Sequence, residues 1–169
     1  MWMHYLRKLG MYTSLFILWV IHVARWNFAL LTGKKEWAKG VRVILVDGRS
    51  VLLVSHWFAP WTWTLPGGNM KTEEAVEDAA IREMYEETGL QIKSIAGVIG
   101  TYQGLLGKGD VVTVVYTGDF SGSVSVRPTI EIMGKSWFDM DNLPPEISPA
   151  NRRRIEAYRS GVRGEKGKW

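Results

Sequence analysis

Residues 68–90 read GNMKTEEAVEDAAIREMYEETGL and decide the fold of this chain. They hold seven of its 17 acidic side chains. Residues 71–90 carry a net charge of −5 while the whole chain carries +4, so the remainder carries about +9. The simplest explanation of such a charge run is a solvated acidic helix face. The residues within the run and next to it instead favour a site that binds a divalent metal ion.

The spacing of the acidic residues predicts a helix over residues 73–88. Glu83, Glu86 and Glu87 lie at i, i+3 and i+4, which places them on one face. Like charges at these spacings destabilise a helix by about 0.2–0.5 kcal/mol per pair. Arg82 lies four residues before Glu86 and is the nearby cation. The opposite stripe is small or apolar and is expected to face the core: Val76, Ala80 and Met84.

Turn residues flank this helix on both sides. Residues 65–68, Leu-Pro-Gly-Gly, end an extended segment in a turn that exposes backbone groups to a ligand. Gly89 suits the left-handed position that closes a helix. A loop followed by a carboxylate-bearing helix can hold a hard cation through oxygen ligands, and Mg²⁺ binds through one or two carboxylates plus substrate phosphates. The stretch therefore predicts a magnesium site.

The same stretch resembles the Nudix box, G-x5-E-x7-R-E-U-x-E-E-x-G-U, in which U is a bulky aliphatic residue. Every fixed position is present: Gly68, Glu74, Arg82, Glu83, Met84, Glu86, Glu87, Gly89 and Leu90. Residues 63–68 resemble the usual lead-in, and Glu131, Trp137-Phe138 and Leu143-Pro144 resemble the usual close, so the resemblance covers about residues 39–160. One departure is visible, since Lys71 and Glu73 stand where many members carry Glu and Gly.

The resemblance implies a Nudix hydrolase with an α/β/α sandwich and a mixed sheet. Such enzymes use water, with magnesium or manganese, to cleave a diphosphate in a nucleoside diphosphate linked to another group. The expected substrate is therefore a small nucleotide-diphosphate molecule. A diphosphate is anionic and repels both hydroxide and a carboxylate cluster, so the reaction needs cations between them.

The resemblance also implies roles for single residues. The metal ligands would be Glu83, Glu86, Glu87, the carbonyl of Gly67 and, from outside the box, Glu131. Arg82 would complete the catalytic set by orienting the glutamates through a salt bridge, while Glu74 and Gly68 would support the loop and the site. The general base is either Glu83 or Glu131.

Composition limits the alternatives. A chain of 169 residues is one domain, long enough to bury a core. The absence of cysteine excludes disulfides and thiolate metal sites and is compatible with a reducing compartment, so we expect a cytoplasmic location. The pI near 9.4 does not come with the pattern of a known nucleic-acid module, and anionic nucleotide substrates explain the basic remainder equally well. Nucleic acid is not an expected partner.

The remaining sequence predicts an α/β fold. Apolar, β-branched residues at 41–47 and 50–55 surround Asp47-Gly48, which is typical of a hairpin. Further strands are expected at 92–102, 111–120 and 133–138. A last helix is expected over residues 148–160, with Ser148 or Asn151 as its cap.

Both termini lie outside the motif. We expect an extra apolar helix within residues 1–38, where residues 9–24 are uncharged but fall short of the roughly 20 that a membrane span needs. It could pack on the domain or on a partner subunit in a homodimer, or bind a membrane surface through residues 9–31, or act as a secretory signal. Residues 161–169 are expected to form a basic, solvated tail, with contact to anionic lipid or RNA as the alternative.

The sequence indicates the substrate-binding residues less clearly than the metal ligands. Trp57, Trp61 and Trp63 precede the glycine turn and could stack on a base, although Trp63 is more typical of a core residue. Tyr102 and the loop residue Lys71 are further candidates, and His56 is interpreted as structural.

Three functional hypotheses follow. The first is a pyrophosphohydrolase of nucleoside di- or triphosphate derivatives, of nucleotide or nucleotide-sugar type. The second is a hydrolase of a lipid-linked or hydrophobic diphosphate at a membrane surface, motivated by the N-terminal segment. The third is a catalytically silent domain that binds a nucleotide or RNA, against which the intact Glu83, Glu86 and Glu87 argue.

Overall fold

A computed structural model describes residues 39–104, 109–125 and 131–169. The predicted N-terminal helix region, residues 1–38, lies outside these ranges. In chain order the elements are β1 (Lys39–Asp47), β2 (Ser50–His56), β3 (Ala59–Thr64), α1 (Val76–Thr88), β4 (Gln91–Ile92), β5 (Gly97–Gln103), β6 (Val111–Thr117), β7 (Phe120–Ser121), β8 (Ile132–Asp139), α2 (Pro149–Arg159) and β9 (Glu165–Lys168).

The main sheet is mixed, with strand order β3-β2-β1-β6-β5-β9 and with β8 paired to β2. β1 runs parallel to β6 from the pair Lys39–Val111 to the pair Leu45–Thr117. β1 pairs with β2 only beside their turn, at Val46–Val51 and Asp47–Ser50. The two strands therefore diverge away from the turn, and a loop fills the edge of β1 that β2 leaves.

The sheet lies between the two helices. Side chains alternate between the two faces of a strand, and each face of this sheet packs against one helix. One core cluster joins α1 to the sheet through Ala79, Ala80, Met84, Val41, Val43, Leu45, Leu52 and Val115. The other joins α2 to the opposite face through Ile155, Ile44, Leu53, Leu65, Ile99 and Val114. The expected α/β/α sandwich with a mixed sheet is thus confirmed, as is the inward stripe of α1.

Several predicted boundaries move. α1 begins at Val76 instead of residue 73, because Glu73 adopts a left-handed φ of 63° in the turn before it. The segments predicted as strands at 92–102 and 111–120 each divide in two, and the short strands β4 and β7 pair with each other apart from the main sheet. Ser148 precedes α2 without a side-chain capping bond, while Asn151 lies buried inside that helix.

The C-terminal segment, expected as a basic, solvated tail over residues 161–169, is exposed at residues 161–168 and forms a strand that was not expected. β9 pairs in parallel with β5, from Gly100–Glu165 to Gln103–Lys168. Backbone pairing of this kind needs no apolar side chains, which explains why the basic sequence concealed it.

No helix in the described ranges has both the length and the apolar run needed to cross a membrane. Residues 9–31, on which that hypothesis rests, are not among them.

Candidate active site

The site begins with the turn between β3 and α1, which is bonded to β1. The Val41 and Val43 amides donate to the carbonyls of Gly68 and Pro66, each at 2.9 Å, and Met70 N–H donates to Lys39 O at 2.8 Å. Residues 66–70 therefore occupy the edge of β1 that β2 vacates.

Close packing requires both glycines of this turn. A Cβ on Gly67 would lie 3.0 Å from Arg42 Cα and closer still to the carbonyl oxygen of Val41, and its φ is 127°. A Cβ on Gly68 would lie 2.5 Å from a carboxylate oxygen of Glu83. A side chain larger than hydrogen is excluded at 67 by the backbone of β1, and at 68 it would displace the end of the Glu83 side chain.

The middle and end of α1 bring two buried carboxylates under this turn. Glu87 Oε2 accepts a hydrogen bond from Gly67 N–H at 2.9 Å, and Glu83 packs against Gly68. Glu86, predicted to share their face, has a side chain that is 55 % exposed. Among the described residues, no group of three acidic or histidine side chains converges as a ready-made metal cage.

Arg82 organises the acidic side chains. Its Nε and Nη2 donate to the two oxygens of Glu74 at 2.7 and 2.8 Å, a bidentate pair. Its Nη1 donates to Glu83 Oε1 at 2.7 Å and to Glu86 Oε2 at 3.3 Å, while Nη2 also donates to Asn69 O at 3.1 Å. Arg82 thus holds Glu83 and Glu86 and ties them to the loop, as the sequence predicted for a salt bridge that orients the glutamates.

The turn before α1 closes on Glu74. Glu74 Oε2 accepts from Lys71 N–H at 2.8 Å, and Glu74 N–H donates to Lys71 O at 3.1 Å. Hydrogen bonds from Arg82 and from the Lys71 amide lower the pKa of Glu74 to about 2. Glu74 is therefore an ionised anchor for Arg82, and Lys71 is exposed, with its charge also favouring the ionised form of Glu74.

Glu87 has the most perturbed carboxyl group of the site. Burial raises its pKa to about 7, with smaller increases from the charges of Glu83 and Glu131, while the Arg42 charge and the Gly67 N–H oppose the rise. A cation bound beside Glu87 would favour its ionised form. A buried carboxyl with such a pKa, near two other carboxyls, is typical of a functional site.

Arg42 on β1 is a site residue that the sequence analysis missed. Its Nη1 is buried and has no hydrogen-bond partner among the described residues. Burial lowers its pKa, whereas the charges of Glu87 and Glu83 raise it. A signal was available in the sequence, since Arg42 interrupts the apolar run 41–46 of a strand that is otherwise buried.

His56 and Glu131 lie at the far end of β2, next to Arg42. Burial, followed by the Arg42 charge, lowers the pKa of His56 to about 4, and a hydrogen bond to the Glu131 backbone opposes this shift. His56 stacks on Phe58 with ring centroids 5.0 Å apart. The Glu131 carbonyl accepts from Trp57 N–H at 3.1 Å, which holds Glu131 near the charge cluster.

The predicted substrate-binding aromatics separate into two groups. Trp57 and Trp61 are 62 % and 53 % exposed. Trp63 packs edge-on against Phe138, with centroids 4.8 Å apart, in the core beneath α2. Tyr102 is fully buried and its hydroxyl donates to Glu165 at 2.7 Å, so the structure places this candidate in the core and not at the site.

An open cleft of about 800 Å³ adjoins the C-terminal end of α1. β7, β8 and residues 122–125 line it, including Lys135 and the stacked rings of Phe120 and Trp137. Burial lowers the pKa of Lys135, and the charge of Glu87 opposes this shift, so the Lys135 ammonium lies within reach of the charge of Glu87.

The donor set fits a hard divalent cation. Carboxylate and carbonyl oxygens are the ligands that magnesium and manganese prefer. The carbonyls of Pro66 and Gly68 are bonded to β1, whereas nothing among the described residues donates to the carbonyl of Gly67 between them. Two buried carboxylates and one unused carbonyl, with phosphates and water completing the shell, match what magnesium requires.

Comparisons with known proteins agree with this geometry. The sequence model of the family described as "NUDIX domain" matches residues 36–158. The chain is 30 % identical over 120 residues to a protein of Bacillus subtilis (strain 168) named "Putative 8-oxo-dGTP diphosphatase", which covers 71 % of this chain and 78 % of that one. It is 32 % identical over 111 residues to an "ADP-ribose pyrophosphatase" of Methanocaldococcus jannaschii, covering 63 % of this chain and 64 % of that relative.

A solved structure supports the same assignment. The crystal structure of a MutT NUDIX hydrolase from Burkholderia pseudomallei matches with a TM-score of 0.64 and 27 % identity, covering 73 % of this chain and 98 % of that chain. The family model and the Bacillus relative each span more than two thirds of the sequence, so the resemblance first seen in residues 68–90 is confirmed. The chain belongs to the NUDIX family and carries a NUDIX hydrolase domain.

Proposed function

We propose that this protein cleaves the diphosphate linkage of a nucleoside di- or triphosphate derivative by attack of water, with a divalent metal ion. The observation that carries the proposal is the pair of buried carboxylates, Glu83 and Glu87, held beneath the double-glycine turn. The names of two relatives, a diphosphatase and a pyrophosphatase, support this substrate class.

Magnesium is the proposed ion and manganese the alternative. Glu83, Glu87 and the Gly67 carbonyl would hold it, with Glu86 and Glu131 able to join as the solvated ligands. When bound, it supplies positive charge to phosphoryl oxygens and lowers the pKa of a coordinated water.

The chain's own residues perform the remaining tasks. Arg82 keeps Glu83 and Glu86 in place, and the Gly67 N–H fixes the orientation of Glu87. Glu83 and Glu131 remain the two candidates for the base that takes the proton of the attacking water. Arg82 already occupies Glu83 Oε1, which leaves Glu83 with one oxygen for this task, whereas the Glu131 side chain is exposed.

The test is a panel of diphosphates assayed with magnesium or manganese for release of phosphate or nucleotide. Glu87→Gln should lower kcat/KM by about 100-fold or more, because it removes an anionic ligand. The fold should persist, since glutamine reproduces the neutral form that burial favours. Glu77→Gln, on the exposed face of the same helix, is the matched control and should retain parental activity. Parental rates in the Glu87→Gln variant would refute the assignment.

The other hypotheses predict different results in the same panel. Turnover restricted to lipid-linked diphosphates would favour the membrane-surface hydrolase, whose support lies in residues 9–31. Nucleotide binding without any turnover would favour the silent sensor. The homodimer, the cytoplasmic location and the membrane contact stay predictions.

A further inference from the structure

Arg42 lies where the sheet opens. β1 and β2 are paired only at residues 46–47 and 50–51, and Arg42 precedes that pairing by four residues. Its Cα lies against Gly67, the residue whose N–H binds Glu87. Arg42 is half-buried beside the proposed metal ligands, with its Nη1 atom enclosed, and it interacts electrostatically with Glu87, Glu83 and His56.

The Arg42 guanidinium has an unmet hydrogen bond. A guanidinium presents five N–H donors and cannot be deprotonated in a protein. Its Nη1 is buried without an acceptor among the described residues, and leaving a buried charged donor unpaired is costly. Arg82, the other arginine of the site, uses all three of its guanidinium nitrogens as donors to acceptors. A fully paired arginine is thus possible in this site, and Arg42 is not one. Another buried arginine nitrogen without a partner among the described residues is Nε of Arg154, which belongs to α2, where the guanidinium lies over the Tyr102 ring.

The nearby carboxylates do not meet that need. Glu87 Oε2 accepts from Gly67 N–H, and Glu83 Oε1 accepts from Arg82. If Glu83 and Glu87 bind a divalent cation, their charge is directed to that ion and Arg42 is left with a positive charge to balance. An anion that binds the cation on one side and Arg42 on the other would satisfy both.

We propose that Arg42 is a substrate-binding residue whose guanidinium holds non-bridging phosphoryl oxygens of the diphosphate. Guanidinium matches phosphate oxygens in a planar, bidentate geometry and binds them through charge-assisted hydrogen bonds. The role rests on the proposed hydrolase function and adds to it a phosphate contact from β1, opposite the carboxylates of α1.

Calorimetry of the full-length protein with inorganic pyrophosphate, in the presence of calcium, tests this contact directly. Arg42→Gln should weaken pyrophosphate binding by about 10-fold or more. Calcium binding without pyrophosphate should be unchanged or tighter, because the variant removes a cation next to the carboxylates. A purely structural Arg42 would instead weaken both. Arg49→Gln, at an exposed arginine of the β1–β2 turn that pairs with Asp141, is the control and should bind pyrophosphate as the parent does.

Arg42→Lys keeps the charge but not the planar fork, and it serves if the glutamine variant does not fold. It should also bind pyrophosphate more weakly, with a raised KM for whichever diphosphate the panel identifies. A folded Arg42→Gln or Arg42→Lys protein with parental pyrophosphate affinity would overturn the proposal. So would a variant whose KM for the hydrolysed diphosphate equals that of the parent.

The two proposals fail separately. A parent that hydrolyses no diphosphate but loses pyrophosphate binding in Arg42→Gln would refute the enzyme and support the Arg42 contact. A parent with turnover that depends on Glu87 but not on Arg42 would do the reverse.

Discussion

At the scale of single residues, the two half-buried arginines of the site differ in their hydrogen-bond partners. Arg82 is saturated by Glu74, Glu83, Glu86 and a backbone carbonyl, and its partners raise its pKa. Arg42 is enclosed with an unpaired nitrogen, and burial lowers its pKa. In this site Arg82 orients its neighbours, whereas the unpaired nitrogen of Arg42 is open to the phosphate contact proposed above.

His56 gives a pH dependence of stability. Its folded pKa is about 4 and its ordinary value is 6.5, so the unfolded chain binds more protons between these values. Stability should therefore fall as the pH drops from about 6.5 towards 4. Between pH 7.5 and pH 5 the parent should lose about 2 kcal/mol more than His56→Gln.

Urea unfolding of both proteins at the two pH values measures this difference. Glu87 acts in the opposite sense, because its pKa is raised to about 7 and its protonation below that pH stabilises the fold. It is present in both proteins, so the comparison isolates His56. Equal pH dependence in parent and variant would show that His56 is not held neutral by burial.

At the scale of elements, substitutions at the two adjacent glycines of the turn should differ in their effects on stability and on activity. In Gly68→Ala the new Cβ meets the end of the Glu83 side chain, which can move. In Gly67→Ala it meets the backbone of β1 at a φ of 127°, which cannot move easily. Gly68→Ala should thus lose most activity with little change in stability, and Gly67→Ala should lose both, with about 2–3 kcal/mol of unfolding free energy.

Thermal melts and kcat/KM with magnesium distinguish the two variants. Gly48→Ala, in the β1–β2 turn with a φ of 57° and no atom within 4 Å of the new Cβ, measures the cost of backbone conformation alone. Full activity in Gly68→Ala would mean that the position of Glu83 does not matter for the reaction.

The elements also show what could be predicted from the sequence. The hairpin at Asp47-Gly48 and the Gly89 helix end were predictable, because each depends on residues within one or two turns of chain. The start of α1 was not, since Glu73 adopts a conformation that glycine usually supplies. Arg42 could have been singled out as a charge within an apolar strand, but its place in the site could not be predicted, because it depends on Gly67 and Glu87, which approach it only where β1 and β2 diverge.

At the scale of the whole molecule, the C-terminal segment closes the sheet on the side away from the carboxylates. Arg154 of α2 lies 3.5 Å from the centroid of the Tyr102 ring, and its Nη2 donates to Lys168 O at 2.6 Å. Trp169 N–H donates to Gln103 O at 2.8 Å, and the Trp169 ring packs edge-on against Tyr102. β9 thus joins β5 to α2 although its four residues are exposed and three of them are charged.

Removal of residues 165–169 should therefore destabilise the protein without damaging the site. The loss combines the backbone pairing of β9 with β5, the hydrogen bonds of Lys168 O and Trp169 N–H, and the contact of the Tyr102 hydroxyl with Glu165, and should amount to about 3 kcal/mol. Urea unfolding measures it, and kcat/KM at low temperature, where the shortened chain stays folded, should remain parental because none of these contacts touches Glu83 or Glu87. The double variant Lys166→Gln with Lys168→Gln keeps the backbone pairing and Trp169, so it should be as stable as the parent. If that charge-neutral variant were as unstable as the shortened chain, the basic side chains and not the strand would hold the terminus.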